Sequence, residues 1–441
     1  MTPIPPALDR THSVPPIRLR RAAGSLRFAA CLLALLTAVV GRVAQASASP
    51  EEPGWTSLFN GTNLDGWIQR GGEAKYSVAD GCIVGETVPK TPNSFLCTPK
   101  VYGDFVLEYE FNCDNGLNSG VQVRSNVFDH DTQLQWAGKL TTIAKGRVHG
   151  LQAEIDADKP ERRWTGGLYE EGRRGWLAPL EGKPEAQAAT KRGEWNRVRI
   201  EAMGDRVATY INDIPCAELR DSLTVEGFIA LQVHGIGNKQ GGPWRVRWRK
   251  LRIRELGRHA WSPLFNGKDL TGWTALPGGD WRVKEGVILG TSAKSEARHG
   301  QLLLDQPLKD FTLRLKFRSV TGNSGVYFRT ERVNSPVALH GFQAEVEPAM
   351  ATGGLYETGG RAWVAKPDPK ALATHYKPGE WSVLTVSAHG KDVTVHVNHF
   401  KTAELRGDPG RTEGLIGLQL HGGQDMHVEY KDIELLSPQK R

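Results

Sequence analysis

A chain of 441 residues, 39% of them hydrophobic and 24% charged, is long enough for two ordinary domains that each bury a core. The formal charge of +7 does not mark a nucleic-acid binder, because residues 1–48 hold six Arg and one Asp, a net of +5, and leave about +2 for the remainder. An excess that small makes no basic footprint for a polyanion.

The first predicted element is a leader. Arg18, Arg20, Arg21 and Arg27 precede an apolar run over 28–40, and Ala44-Gln45-Ala46 and Ala46-Ser47-Ala48 follow. This is the order of charge, apolar stretch and small residues in a secretory signal peptide, here 1–48. The run is short for a membrane span, so the mature chain is expected to be exported, periplasmic or extracellular, with no span left after cleavage.

Leu58-Phe59-Asn60-Gly61 and, a few residues on, Leu64-Asp65-Gly66-Trp67 open the next region, and Leu264-Phe265-Asn266-Gly267 with Leu270-Thr271-Gly272-Trp273 open another in the same way. Turn residues between apolar anchors read as the entry to a β domain. Short strands are predicted over 76–78, 82–85, 94–98 and 105–111, with counterparts around 281–283, 287–290, 301–304 and 311–317. Later ones over 195–202, 206–212, 227–234 and 244–254 match 381–388, 392–398, 414–421 and 427–435. Many short strands with Gly-rich turns and little helical period give an all-β chain of two tandem β-sandwiches or jelly rolls, 53–256 and 259–437. The unmatched segment 125–148 is expected to be a loop over the polar face of the first.

Three mid-domain pieces recur in order. Asn118-Ser119-Gly120-Val121-Gln122-Val123-Arg124 returns as Asn323-Ser324-Gly325-Val326-Tyr327-Phe328-Arg329. His149-Gly150-Leu151-Gln152-Ala153-Glu154-Ile155-Asp156 returns as His340-Gly341-Phe342-Gln343-Ala344-Glu345-Val346-Glu347, and Thr165-Gly166-Gly167-Leu168-Tyr169 as Thr352-Gly353-Gly354-Leu355-Tyr356. Period-2 alternation sends Leu151, Ala153 and Ile155 to the core and Gln152, Glu154 and Asp156 to the other face. Counted the same way, Gln122 and Arg124 join that face, and so does Arg329 in the second copy. Cys82, Cys97, Cys113 and Cys216 show no zinc spacing; a Cys82–Cys97 bridge and buried thiols both fit. No cofactor motif is evident, no compact His or Cys set marks a metal, and the sequence leaves a divalent metal open.

With these motifs, with Gly193-Glu194-Trp195 and Gly379-Glu380-Trp381, and with Ile229-Ala230-Leu231-Gln232-Val233-His234 and its match Ile416-Gly417-Leu418-Gln419-Leu420-His421, the chain resembles the 3-keto-disaccharide hydrolase family, twice over. The resemblance implies concanavalin-like jelly rolls and a glycoside or oligosaccharide substrate oxidised at C3. A ketone there acidifies the C2 proton, a carboxylate can remove it, a cation can stabilise the enolate, and the C1 substituent leaves before water adds. On that reading Glu154 is the base, Asp156 its partner, and Arg124 with Arg173 or Arg174 the anion stabilisers. Asn118, His149, Gln152, Tyr169 and Trp176 position the sugar. The second-copy set is Asn323, Arg329, His340, Gln343, Glu345, Glu347, Tyr356 and Arg361. Arg173 aligns with Gly360 and Asp156 with Glu347, departures that favour the first copy if only one is active. Two rival readings stand beside this one. The first is a lectin-like module whose Trp164, Trp176 and Trp363 stack on sugars; the second is an ordinary glycosidase using Glu154 and Asp156. Each polar residue also has a plain reading as part of a solvated strand face, and an Arg–carboxylate pair as a structural bridge.

Overall fold

The computed structural model describes residues 52–136 and 139–439; the expected signal peptide lies outside the described residues. Nearly everything described is strand, arranged as two sandwiches in succession. In the first, one sheet runs Gly175–Ala178, Leu168–Glu171, His149–Asp156, Asn118–Asn126, Gly227–Val233, Ser94–Tyr102, Ile68–Gly71. The facing sheet runs Ile214–Arg220, Arg206–Ile211, Asn196–Met203, Asp104–Cys113, Arg245–Gly257, Cys82–Glu86, Lys75–Ala79. The second sandwich repeats both orders, with Leu339–Val346 and Ser324–Arg332 at the equivalent central positions.

Alternation explains the layers. Phe105, Leu107, Tyr109 and Phe111 face Val121, Val123, Leu151, Ala153 and Ile155 across the first core, all buried. Phe311, Leu313, Leu315 and Phe317 do the same against Val326, Phe328, Phe342 and Ala344 in the second. At about 25 cal/mol per Å² of apolar area removed from water, each core supplies the main stabilising term of its sandwich.

Segment 125–148 departs from the expected loop. Its ends do lie on the outward face, where Val127 and Val148 pack with Phe95, Cys97 and Phe228, but its middle is a hairpin of Thr132–Trp136 and Lys139–Ile143. The alternation of Leu134 with Trp136, and of Thr141 with Ile143, was the sign of it. Trp136 reaches the second sandwich, its ring 4.7 Å from His375.

A second inter-copy contact is polar. Asp205, in the turn after Asn196–Met203, is 1% exposed. It pairs with Arg220 at 2.8 Å and accepts hydrogen bonds from Thr312 Oγ1 at 2.9 Å and from Ser387 Oγ. Of the two readings for the cysteines the structure has the second: Cys82, Cys97, Cys113 and Cys216 are free and buried, and burial pushes Cys97 up to about 12. Among the described residues no helix is long and apolar enough to cross a membrane.

Candidate functional site

The outward face of strand His149–Asp156 is not solvated. Gln152, Glu154 and Asp156 are all at most 5% exposed, because the neighbouring strand and the loop after Asp156 close over them. Asn118 Nδ2 donates to Glu154 Oε1 at 2.5 Å and Gln152 Nε2 to Glu154 Oε2 at 2.8 Å. Behind them Gln122 Nε2 donates to Gln152 Oε1 (2.6 Å) and Ser125 Oγ to Gln122 Oε1 (2.6 Å). This chain fixes the orientation of both amides. Asn-Ser-Gly is the start of a strand and not a free turn: a Cβ on Gly120 would sit 2.5 Å from the Gln152 side chain, and one on Gly325 the same distance from Gln343. The glycine makes room for the amide that holds the acid.

Two N–H donors favour the carboxylate, yet burial outweighs them and pushes Glu154 up to about 7, with Asp156 adding to the rise and Arg162 opposing it. The second copy repeats the unit. Asn323 Nδ2 donates to Glu345 Oε1, Gln343 Nε2 donates to Oε2 at 3.0 Å, and burial again pushes the carboxyl up to about 7. An open cleft of about 740 Å³ lies over it, lined by Asn323, Tyr327, Gln343, Glu345, Glu347, Tyr356 and Trp363 among others.

Asp156 is not a free second acid. Arg162 holds it with Nε at 2.8 Å and Nη2 at 2.7 Å, and the Trp164 backbone N–H adds a third bond at 3.0 Å. The same guanidinium lies 5.1 Å from the ring centroids of both Trp164 and Trp176, and Trp176 meets Tyr169 edge-on at 5.3 Å. Arg162 was missed because it sits in a loop with no counterpart between Glu347 and Thr352. Its position beside Glu161 and two residues before Trp164 in the sequence was the available signal. Arg162→Ala is expected to move the acid limb of any Glu154-dependent activity to higher pH, since it removes a cation that favours the charged carboxyl; a pH–rate profile with Glu345→Gln as background checks this.

Other expected site residues lie elsewhere. Arg124 has φ +48° in a bulge where Arg124 and Ser125 together oppose Gly150. The extra residue breaks the alternation and turns Arg124 to the inner side. There it is 0% exposed, donating to Gly103 O (2.9 Å), Gly204 O (2.6 Å) and Asp104 Oδ1 (3.2 Å). Gly150 serves the bulge: a Cβ there would stand 2.5 Å from Ser125 Oγ. Arg329 repeats the conformation at φ +51° and donates to Lys309 O and Arg411 O.

Arg173 and Arg174 fold onto Glu170, whose strand partner is the core residue Leu151; Arg173 also meets Thr224 and Arg174 meets Asp221. Arg361 makes the matching pairs with Glu357 and Asp408. These are structural bridges at the far edge from Glu154, so the loss of Arg173 at Gly360 does not touch the second acid. His149 stands at the opposite end of its strand, stacked 4.4 Å from Phe128, with burial holding it down to about 4. His340 has no place among the residues lining the second cleft. What the structure brings together is Asn118, Gln152, Glu154, Asp156, Tyr169 and Trp176, and in the second copy Asn323, Gln343, Glu345, Glu347 and Tyr356. Among the described residues no group of three or more His, Cys, Asp or Glu is placed to hold a metal ion.

The described chain is thus two jelly-roll sandwiches, each with a buried acid–amide unit on the outward face of one sheet. The sequence profile described as 3-keto-alpha-glucoside-1,2-lyase-like domain matches residues 54–254 and again 260–436. The chain belongs to this family, with two copies in tandem. Similar solved structures include the carbohydrate binding module CBM66 from Bacillus subtilis, at 18% identity over 38% of this chain and 96% of that one with a TM-score of 0.31. Another is a protein of unknown function with a galectin-like fold from Bacillus subtilis, at 14% identity over 44% and 90% with a TM-score of 0.32. No curated protein sequence matches the chain.

Proposed function

We propose that the chain cleaves 3-keto-glycosides by elimination. Glu154 takes the C2 proton, the C2–H electron pair forms a C1=C2 double bond, and the C1–O bond breaks as the leaving oxygen gains a proton. Water then adds across the double bond, returning a proton to C2 and completing hydrolysis. The observation that carries this reading is the buried carboxyl pushed up to about 7 by its surroundings and aimed by two amides. A base with that affinity for a proton is well matched to chemistry near neutral pH.

Tyr169 stands close enough for Glu154 to raise its pKa, after burial and Glu171, and is suited to relay a proton to the leaving oxygen. Arg162 is the cation nearest the acid pair and replaces Arg124, Arg173 and Arg174 as the candidate for enolate stabilisation. Asp156, bound on both oxygens, orients Arg162. The same assignment in the second copy gives Glu345 as base, so both copies are proposed to work. The Arg-led apolar segment at the N-terminus supports action outside the cytoplasm.

Product analysis of the purified chain with matched native and 3-keto glycosides in deuterated water tests this. Cleavage of the keto substrate alone, with deuterium at C2 of the product, is expected. Equal turnover of both would move the reading to an ordinary glycosidase, and intact recovery of both to a binding module.

A further inference from the structure

The two clefts share a base but differ in the charge placed beside it. On the strand face two residues past the base, Asp156 and Glu347 occupy the same position. In the first copy the Asp156 carboxylate is sealed: its side chain is 0% exposed and a guanidinium covers both oxygens. In the second copy the loop to Thr352 is shorter and carries no Arg. Glu347 is half-buried and lines the open cleft, and among the described residues its carboxylate accepts only from the Ala351 backbone N–H at 3.2 Å and, weakly, from Asn323 at 3.4 Å. No Lys, Arg or His among the described residues forms an ion pair with Glu345 or Glu347, whereas most acids of the strand faces have one.

The rest of the second cleft points the same way. Gln419 lines it and is buried, and its Oε1 has no hydrogen-bond partner. Glu345, Glu347 and Gln419 therefore offer acceptors; the first copy carries a further carboxylate, Glu171, at the position of Thr358. Tyr356 and Trp363, edge-on at 5.5 Å, add aromatic rings. Lys366 Nζ already lies 4.4 Å from the Trp363 ring centroid, and carboxylates without an ion-pair partner beside such rings are the recognition chemistry of a further ammonium group, which has three donors and is drawn to a ring face.

We infer that the second cleft selects glycosides bearing an ammonium group, through Glu347, whose counterpart Asp156 in the first copy is neutralised by Arg162. The inference rests on the reading of both clefts as sugar sites. It makes Glu347 a specificity residue.

The test uses three native glycosides that share a skeleton and carry an amine, a hydroxyl or a carboxylate at C6, titrated calorimetrically into the full chain. The amine should bind at least about tenfold more tightly than the hydroxyl, in line with one close charge pair in a partly shielded site, and the carboxylate more weakly than either. Glu347→Gln should erase the order and Glu347→Asp should keep it. Equal binding of all three probes, no binding by any, or an order that survives Glu347→Gln overturns the inference. So does an amine preference that disappears on chelation, which would assign the acids to a divalent cation. Amine selectivity in a chain that cleaves no keto glycoside would sink the elimination reading and leave this one standing; cleavage without selectivity would do the reverse.

Discussion

Turnover of a 3-keto glycoside is expected to fall by about 10²–10⁴-fold when Glu154 and Glu345 are both replaced by Gln, the usual contribution of a general base, while binding changes little. Glutamine keeps the shape and still accepts from Asn118 and Asn323, so the loss isolates proton abstraction. Each single variant should retain the turnover of the other cleft, and the two residual activities should sum to the wild type. Wild-type activity should rise with pH through about 7, because the base works only when deprotonated and burial holds both carboxyls near that value. Deuterium at C2 should slow the wild-type reaction; direct displacement at C1 would show only a small secondary effect.

The same two acids have a signature in stability. Their folded pKa lies above the ordinary 4.5, so between pH 4.5 and about 7 the folded chain binds protons that the unfolded chain has released. The part of the stability that these two acids contribute is therefore fully present below pH 4.5 and is lost as pH rises through about 7. The double Gln variant should lose that decline. Full activity in the double variant would rule out the mechanism.

Arg124→Ala should destabilise the first sandwich by about 3–5 kcal/mol, the cost of removing one partner from a buried ion pair. Three contacts go at once, and Asp104 keeps only the Gly204 N–H and His259 Nδ1. Arg329→Ala should cost less, since its acidic neighbour Asp310 is 3.6 Å away and half-exposed. Urea unfolding measures the difference. Because Arg124 lies on the inner side of its strand, the fraction that remains folded should turn over at the normal rate. A full-stability variant with no activity would return Arg124 to the site.

The sandwiches were legible because period-2 alternation survives along most strands, and the duplicated motifs marked the same strand twice. The acid and its amides were legible for the same reason: Gln152, Glu154 and Asp156 alternate strictly with Leu151, Ala153 and Ile155. Arg124 was misplaced where alternation stops, at a bulge that leaves only a glycine in the facing strand as its trace. Arg173 and Arg174 were misread because Thr224 and Asp221, which fix them beside the nearby Glu170, lie 51 and 47 residues away in sequence, and Arg162 because an unmatched loop has no period to read. Burial of the polar face was also invisible, since nothing in a strand's own pattern tells what folds over it.

Asp205 gives the pair a direction. Its equivalent in the second copy is Lys391, and the residues that receive it, Thr312 and Ser387, correspond to Val106 and Glu201 in the first. A chain with the halves exchanged would present a lysine where an aspartate is gripped and a glutamate where a serine donates. The halves descended from one sequence are thus no longer interchangeable parts: each has become the neighbour the other requires, and recombination that shuffles them would discard this contact between them.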